Sequence, residues 1–183
     1  MCGALADPKG HLVVDPQHTL YWLTPYAGEL SDSSGLCQIA GIHREAFRAR
    51  LAPYLSHQDR EASHWLRLRL YNPSPKPQNW YLVAPFAEYF QVYVPSEADQ
   101  ATFSYFKNGF CVPFAEQSFQ NRHDRVLVTL PARQLTDLFL MVRANQQFYR
   151  EKTPCHVLRL ERADWVRHQI LRDWISLAAL LGI

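Results

Sequence analysis

Leucine alternates with other residues in "SHWLRLRLYNPSPKPQNWYLV", residues 63–83. In an extended chain Leu66, Leu68 and Leu70 face one side, and Trp65, Arg67, Arg69 and Tyr71 the other. The same texture recurs downstream, where Val126, Val128 and Leu130 alternate with Arg125, Leu127 and Thr129. It predicts strands at 65–71, 79–84, 89–94, 101–106, 126–130, 137–143 and 155–160, with shorter ones at 11–14 and 19–23. The intervals are turn chemistry. "PSPKPQ" carries three prolines that cannot donate to a ladder, and "PSEADQ", "KNG" and "LPARQLTD" punctuate the rest. Short strands so spaced predict an all-β fold, a sandwich or barrel.

Two stretches break the pattern. "HREAFRARLAPYL" sets Phe47, Leu51 and Tyr54 near helical spacing and predicts one short helix near 43–52, its end blurred by Pro53. Upstream of it, "SDSSG" (31–35) reads as a loop. At the C-terminus, Val166, Ile170, Trp174, Leu177 and Leu181 fall on one helical stripe within 161–183. Charges stop at Asp173, and "WISLAALLGI" is almost wholly apolar. About 20 such residues are needed to cross a bilayer. This run is half that, so it reads either as a core helix or, with Trp174 at its polar boundary, as the start of a membrane span. The expected division is a β-sandwich over 1–160 and a helix over 161–183 leading towards a first transmembrane span.

Composition narrows the classes. The chain has 183 residues, 48% hydrophobic, which is enough for a core and argues against disorder. A net charge of +2 gives no electrostatic footprint for nucleic acid. The opening "MCGALADPKG" has no charged n-region followed by an apolar run, so a signal peptide is absent or has been replaced by a start methionine. Cys2, Cys37, Cys111 and Cys155 have no CxxC spacing. In an oxidising compartment some of them would pair, and in a reducing one they would remain thiols.

"WLRLRLYNPSPKPQNWYLV" resembles the central signature of the periplasmic domain that precedes seven-helix bacterial membrane receptors, the 7TMR-DISM extracellular domain type 2. Trp65, Arg67, Asn72, Trp80 and Leu82 stand at the positions of that signature. "AEYFQVYVP" is similar to the family's next strand, Arg122 to its later arginine, and "DLFLMVRAN" to a late strand ending in an arginine, here Arg143. The resemblance covers about residues 10–183, with 15–42 hardest to match. It implies a jelly-roll sandwich akin to carbohydrate-binding modules, held outside the inner membrane. It further implies coupling through the protein's own transmembrane helices to a histidine kinase or diguanylate cyclase.

For chemistry, the arginine-and-aromatic face has two readings. Arg67, Arg69 and Tyr71 line a groove for a carbohydrate or other small polar ligand, or they form a solvated face with arginine stems over apolar rings. Trp65 fits the core better than a ligand platform. Arg122 and Arg143 either converge with Arg67 on an anion or polyol, or make separate ion pairs with Glu88, Asp124 or Asp137. Of the eight histidines, only His64 with His123 and Glu61 could group as metal ligands, and scattered surface histidines explain them equally. No G-x-S-x-G turn or glycine-rich phosphate loop is present, so neither catalysis nor a cofactor is expected. The remaining partner expectations are a second copy of the chain or another protein, bound through sheet edges or the aromatic face.

Overall fold

The computed structural model describes residues 10–32, 37–42, 47–49, 63–84, 87–96, 102–118, 125–144 and 158–181. The strands, in chain order, are β1 (Leu12–Val13), β2 (Leu20–Trp22), β3 (Ala27–Asp32), β4 (Arg48–Ala49), β5 (Ser63–Tyr71), β6 (Gln78–Val83), β7 (Ala87–Pro95), β8 (Phe103–Asn108), β9 (Arg125–Leu130), β10 (Leu135–Ala144) and β11 (Arg159–Arg162). Among the described residues two α-helices accompany them, α1 (Ile39–Ile42) and α2 (Ala163–Leu181). The protein is an all-β sandwich. One sheet runs β4-β3-β5-β10-β7-β8, with β1 parallel to the end of β5, and the other runs β2-β11-β6-β9.

The core follows the alternation. Leu66, Leu68 and Leu70 of β5 and Leu138, Leu140 and Val142 of β10 meet Trp80, Leu82, Val126, Val128, Leu130 and Leu160 of the opposing sheet, all buried. Each Leu→Ala change in such a layer costs about 2–5 kcal/mol. Two buried asparagines fasten the sheets at the two ends of β9. The Asn72 amide nitrogen donates to the Leu130 and Pro131 carbonyls at 3.1 and 2.9 Å, while its oxygen accepts the Ser74 N–H at 2.9 Å and shapes the proline turn. The Asn108 amide donates to the Arg125 carbonyl at 3.1 Å. Its neighbour Gly109, at φ 132°, lies so close to the Glu88 carbonyl that no Cβ fits.

A second, smaller core lies on the outer face of the larger sheet. There Trp65 and Phe139 are buried with Ile42 of α1, packed by Leu30, Phe47, Tyr93, Phe103 and Met141. Trp65 is therefore core, as its bulk implies, although it shares the arginine side of β5.

The short helix differs in place from expectation. Arg48–Ala49 is a strand paired to Gly28 and Glu29, and the helical turn comes earlier, at Ile39–Ile42. Phe47 is used by the sheet: it sits on Gly28, whose missing side chain leaves room for it, and against Phe139 at 5.9 Å. Residues 43–46 and 50–62, including the expected Leu51 and Tyr54, lie outside the described residues. Ser31 and Asp32, read as loop, end β3 because Ala27–Asp32 pairs along β5. The C-terminal helix begins at Ala163, since Glu161 and Arg162 still pair with Tyr81 and Trp80. Among the described residues no helix is long and apolar enough to cross a membrane.

Candidate functional site

The larger sheet has a gap. β10 pairs with β7 from Ala144 down to Phe139↔Tyr93 and no further. Leu135–Leu138 continue along β5, while Val94 and Pro95 continue along β8. Extending the register would set Pro95 opposite Asp137, and proline has no N–H to donate to that ladder. The strands part there and leave an open groove of about 910 Å³. It runs from Arg67, Arg69, Asp137 and Phe139 on the outer face, past Val94, Pro95 and Phe103, to Phe106, Val128 and Thr136 between the sheets.

At the outer end, Asp137 holds two arginines. Arg67 Nη2 donates to its Oδ2, and Arg69 Nε lies 3.3 Å from its Oδ1. The pairing follows from register, with Asp137 directly opposite Arg69 and Phe139 opposite Arg67. The Arg67 guanidinium also lies over the Phe139 ring, 5.7 Å from its centre, and Phe103 meets that ring edge-on. All three charged side chains keep about a third of their surface exposed. Two polar atoms of the lining are buried without a hydrogen-bond partner, Arg67 Nε and Thr136 Oγ1.

Of the five residues singled out from sequence, Arg67 and Arg69 stand together in this groove. Tyr71 does not line it; its ring lies edge-on to His11, 5.9 Å away. Arg143 is exposed at the far end of β10, six residues from Asp137, or roughly 20 Å. Arg122 lies outside the described residues, as do His123 and Glu61 of the suggested metal group. His64 instead meets Glu29, with Nδ1 to Oε1 at 3.1 Å, and the described residues hold no cluster of metal-ligating side chains. Sequence reasoning missed Asp137 as the partner of Arg67 and Arg69, and Thr136 and Phe139 as wall. The available signal was a carboxylate in phase with Phe139 at the head of an apolar strand.

The family model described as 7TMR-DISM extracellular 2 matches residues 24–150, well over half of the chain. The protein belongs to this family. No curated protein sequence matches the chain. Membership makes it a periplasmic, sensor-type domain of a receptor that has its own membrane region. Every described residue of the groove falls inside the matched span, whereas β11 and α2 lie beyond it.

That C-terminal part of the DISM domain carries a second charged cluster, on the outer face of the smaller sheet. Glu161 of β11 is buried and receives Arg159 at 3.3 Å and, across β6, Arg125 at 3.6 Å. Arg125 lies over Tyr81 and Arg159 over Trp22, each 5.7 Å from the ring centre. Next to Glu161, the Arg162 N–H donates to the Thr19 carbonyl at 3.0 Å, and its guanidinium donates to the Pro16 carbonyl and to Asp164. Asp164 Oδ1 also accepts the Trp165 N–H at 2.7 Å. Partial burial pushes the Asp164 carboxyl up, but these hydrogen bonds outweigh it and hold the group below its usual range. Ala163 and Val166 are buried, while Ile170, Leu171 and Ile175 are exposed, so α2 is seated on the sandwich by its first turn. Of the described members of the expected stripe, Val166 is buried and Ile170 is exposed. The side chains of Trp174, Leu177 and Leu181 lie outside the described residues.

Proposed function

We propose that this domain senses a carbohydrate or other small polar ligand in the groove at Arg67 and Arg69, without catalysing a reaction. Occupancy is reported through α2 to the receptor's membrane helices and a cytoplasmic kinase or cyclase. The observation that carries this reading is the break between β7 and β10. It opens a ligand-sized space walled by guanidinium groups, a carboxylate and aromatic rings, the mixture that orients a polar ligand with an apolar face. β9 supports the coupling: Leu127, Val128 and Thr129 line the groove, and Arg125 of the same strand reaches Glu161, two residues before α2. A ligand shifts such a receptor only if it binds two arrangements of domain and membrane unequally.

Thermal melts against a panel of sugars and sugar derivatives test the reading. The wild-type domain is expected to melt higher with at least one of them. Arg67→Ala is expected to fold and to lose most of that shift. An Arg67→Ala protein that binds as the wild type does would remove the residue from the site.

A further inference from the structure

The charge balance of the groove says more about what enters it. Among the described residues of its lining, the charged side chains are Arg67, Arg69 and Asp137, two cations against one anion. Hydrogen-bonding capacity is lopsided in the same sense. Both Asp137 oxygens already accept an arginine N–H. Of the guanidinium nitrogens, only Arg67 Nη2 and Arg69 Nε are used in those bonds, and Arg67 Nε is buried with no acceptor at all. The Thr136 hydroxyl, on a residue 5% exposed, adds a group without a partner deeper in the groove, able to donate to a ligand oxygen. A hydroxyl of a neutral polyol can accept from these donors, but each brings a donor of its own and no charge to balance the guanidinium groups. A carboxylate offers acceptors alone, with the planar geometry that guanidinium groups recognise. Phe103, Phe139 and Leu135 beside the charges suit the C–H face of a ring.

We infer that the ligand is a sugar acid, its carboxylate held by Arg67 and Arg69 in competition with Asp137 and its ring lying towards Phe103 and Phe139. The inference rests on the ligand-sensing reading above and refines it. It makes an unusual prediction for Asp137. If the carboxylate of the groove competes with the ligand's, Asp137→Asn releases both arginines and tightens anion binding. If Asp137 instead accepts a hydroxyl of a neutral sugar, the same change weakens binding.

Calorimetric titration with D-glucuronate, D-galacturonate, their methyl esters and the parent neutral sugars decides between these. At least one free acid is expected to bind about tenfold or more tightly than its ester, the worth of one charge-assisted hydrogen bond. Raised salt should weaken it, because the site is partly exposed. Asp137→Asn should tighten it severalfold, and Arg69→Gln should weaken it by about tenfold. Because either variant could perturb folding, the acid-against-ester ratio in the unmodified protein stands as an independent readout. Equal affinity for acid, ester and neutral sugar, or weaker binding by Asp137→Asn, overturns the sugar-acid inference and leaves the groove as a neutral-sugar site. Absence of binding by all of these probes overturns the sugar-acid inference, and the ligand-sensing reading falls with it only if the wider panel of the thermal melts also gives no shift.

Discussion

Each sheet carries on its outer face one carboxylate clamped by two arginines, and the two triads differ in almost everything except that plan. Around Glu161 the exposures are 13% for Arg125, 9% for Glu161 and 28% for Arg159, with Tyr81 and Trp22 stacked on the cations. Around Asp137 they are 31% for Arg67, 27% for Asp137 and 38% for Arg69, and the triad faces a groove. The first arrangement spans β9 and β11 with β6 between them and stands at the root of α2. The second lies across adjacent strands where the neighbouring strand has parted. Burial turns an ion triad into a fastener whose members cannot be removed singly. Partial exposure leaves the same groups energetically cheap and free to exchange partners.

The sharpest way to break this comparison is to remove each carboxylate in turn. Glu161→Gln leaves two guanidinium groups in a desolvated position with no charge to balance them. We expect a loss of about 3 kcal/mol in chemical denaturation, the lower end for a buried pair because Arg159 can still reach water. Asp137→Asn is expected to cost no more than about 1 kcal/mol, as for surface pairs. Equal losses would mean that the two triads do the same work and that the one at the groove is structural.

An intermediate effect is expected from Gly28→Ala. Gly28 pairs with Arg67 across β3 and β5, and a Cβ there would stand 2.8 Å from the Phe47 Cβ. Phe47 must then move off Phe139, the ring beneath Arg67. Overpacking of this kind costs about 1–3 kcal/mol. It should also alter ligand affinity, whereas Glu161→Gln should lower stability and leave affinity nearly unchanged in the fraction that stays folded. Matched denaturation and titration curves for the two variants separate the roles.

The parts legible in the sequence were those governed by local periodicity. The leucine rows of β5 and the valine row of β9 mark their strands because a buried face repeats every second residue. β3 was missed because "AGELSD" is rich in turn formers; it is extended because the free edge of β5 pairs with it. The helix expected near 43–52 gave way at Arg48–Ala49 for a related reason, since an open edge of β3 and a hole at Gly28 outweighed a weak helical stripe. The groove was half legible. Arg67 and Arg69 are in phase, but their shared partner Asp137 lies 68 and more residues away and is set only by register. Pro95 was visible as turn chemistry, yet its effect as a breaker of the β7–β10 ladder needed the neighbouring strand. The Glu161 triad was not legible at all, because β6 must first hold β9 and β11 on its two sides.

The smallest effect, absent at neutral pH, tests how dry the outer face of the larger sheet is. Two tyrosines differ from ordinary phenols. Tyr21 lies in the inner core beside Trp80, where its hydroxyl accepts the Asp15 N–H at 2.7 Å. Tyr93 lies on the outer face, stacked with Tyr105 and donating to Gln91 Oε1 at 2.5 Å. Burial pushes both up to about 12, with Tyr89 and Tyr105 adding to the effect at Tyr93. Between about pH 10 and 12 the unfolded chain sheds these protons while the native chain keeps them. The native state then holds more protons, so stability falls as pH rises through this window, and below pH 10 the contribution is intact. Arginines remain charged throughout, so both triads persist; Lys107, raised by its hydrogen bond to Glu116, adds to the decline, and the tyrosine variants isolate the share of the phenols. Tyr93→Phe should remove part of the alkaline slope in denaturation midpoints measured from pH 9 to 12, and Tyr21→Phe another part. If Tyr93→Phe leaves the slope untouched, its ring is wet. The second core around Trp65 and Phe139 would then be more open than its packing implies, and the floor beneath Arg67 softer than a ligand site requires.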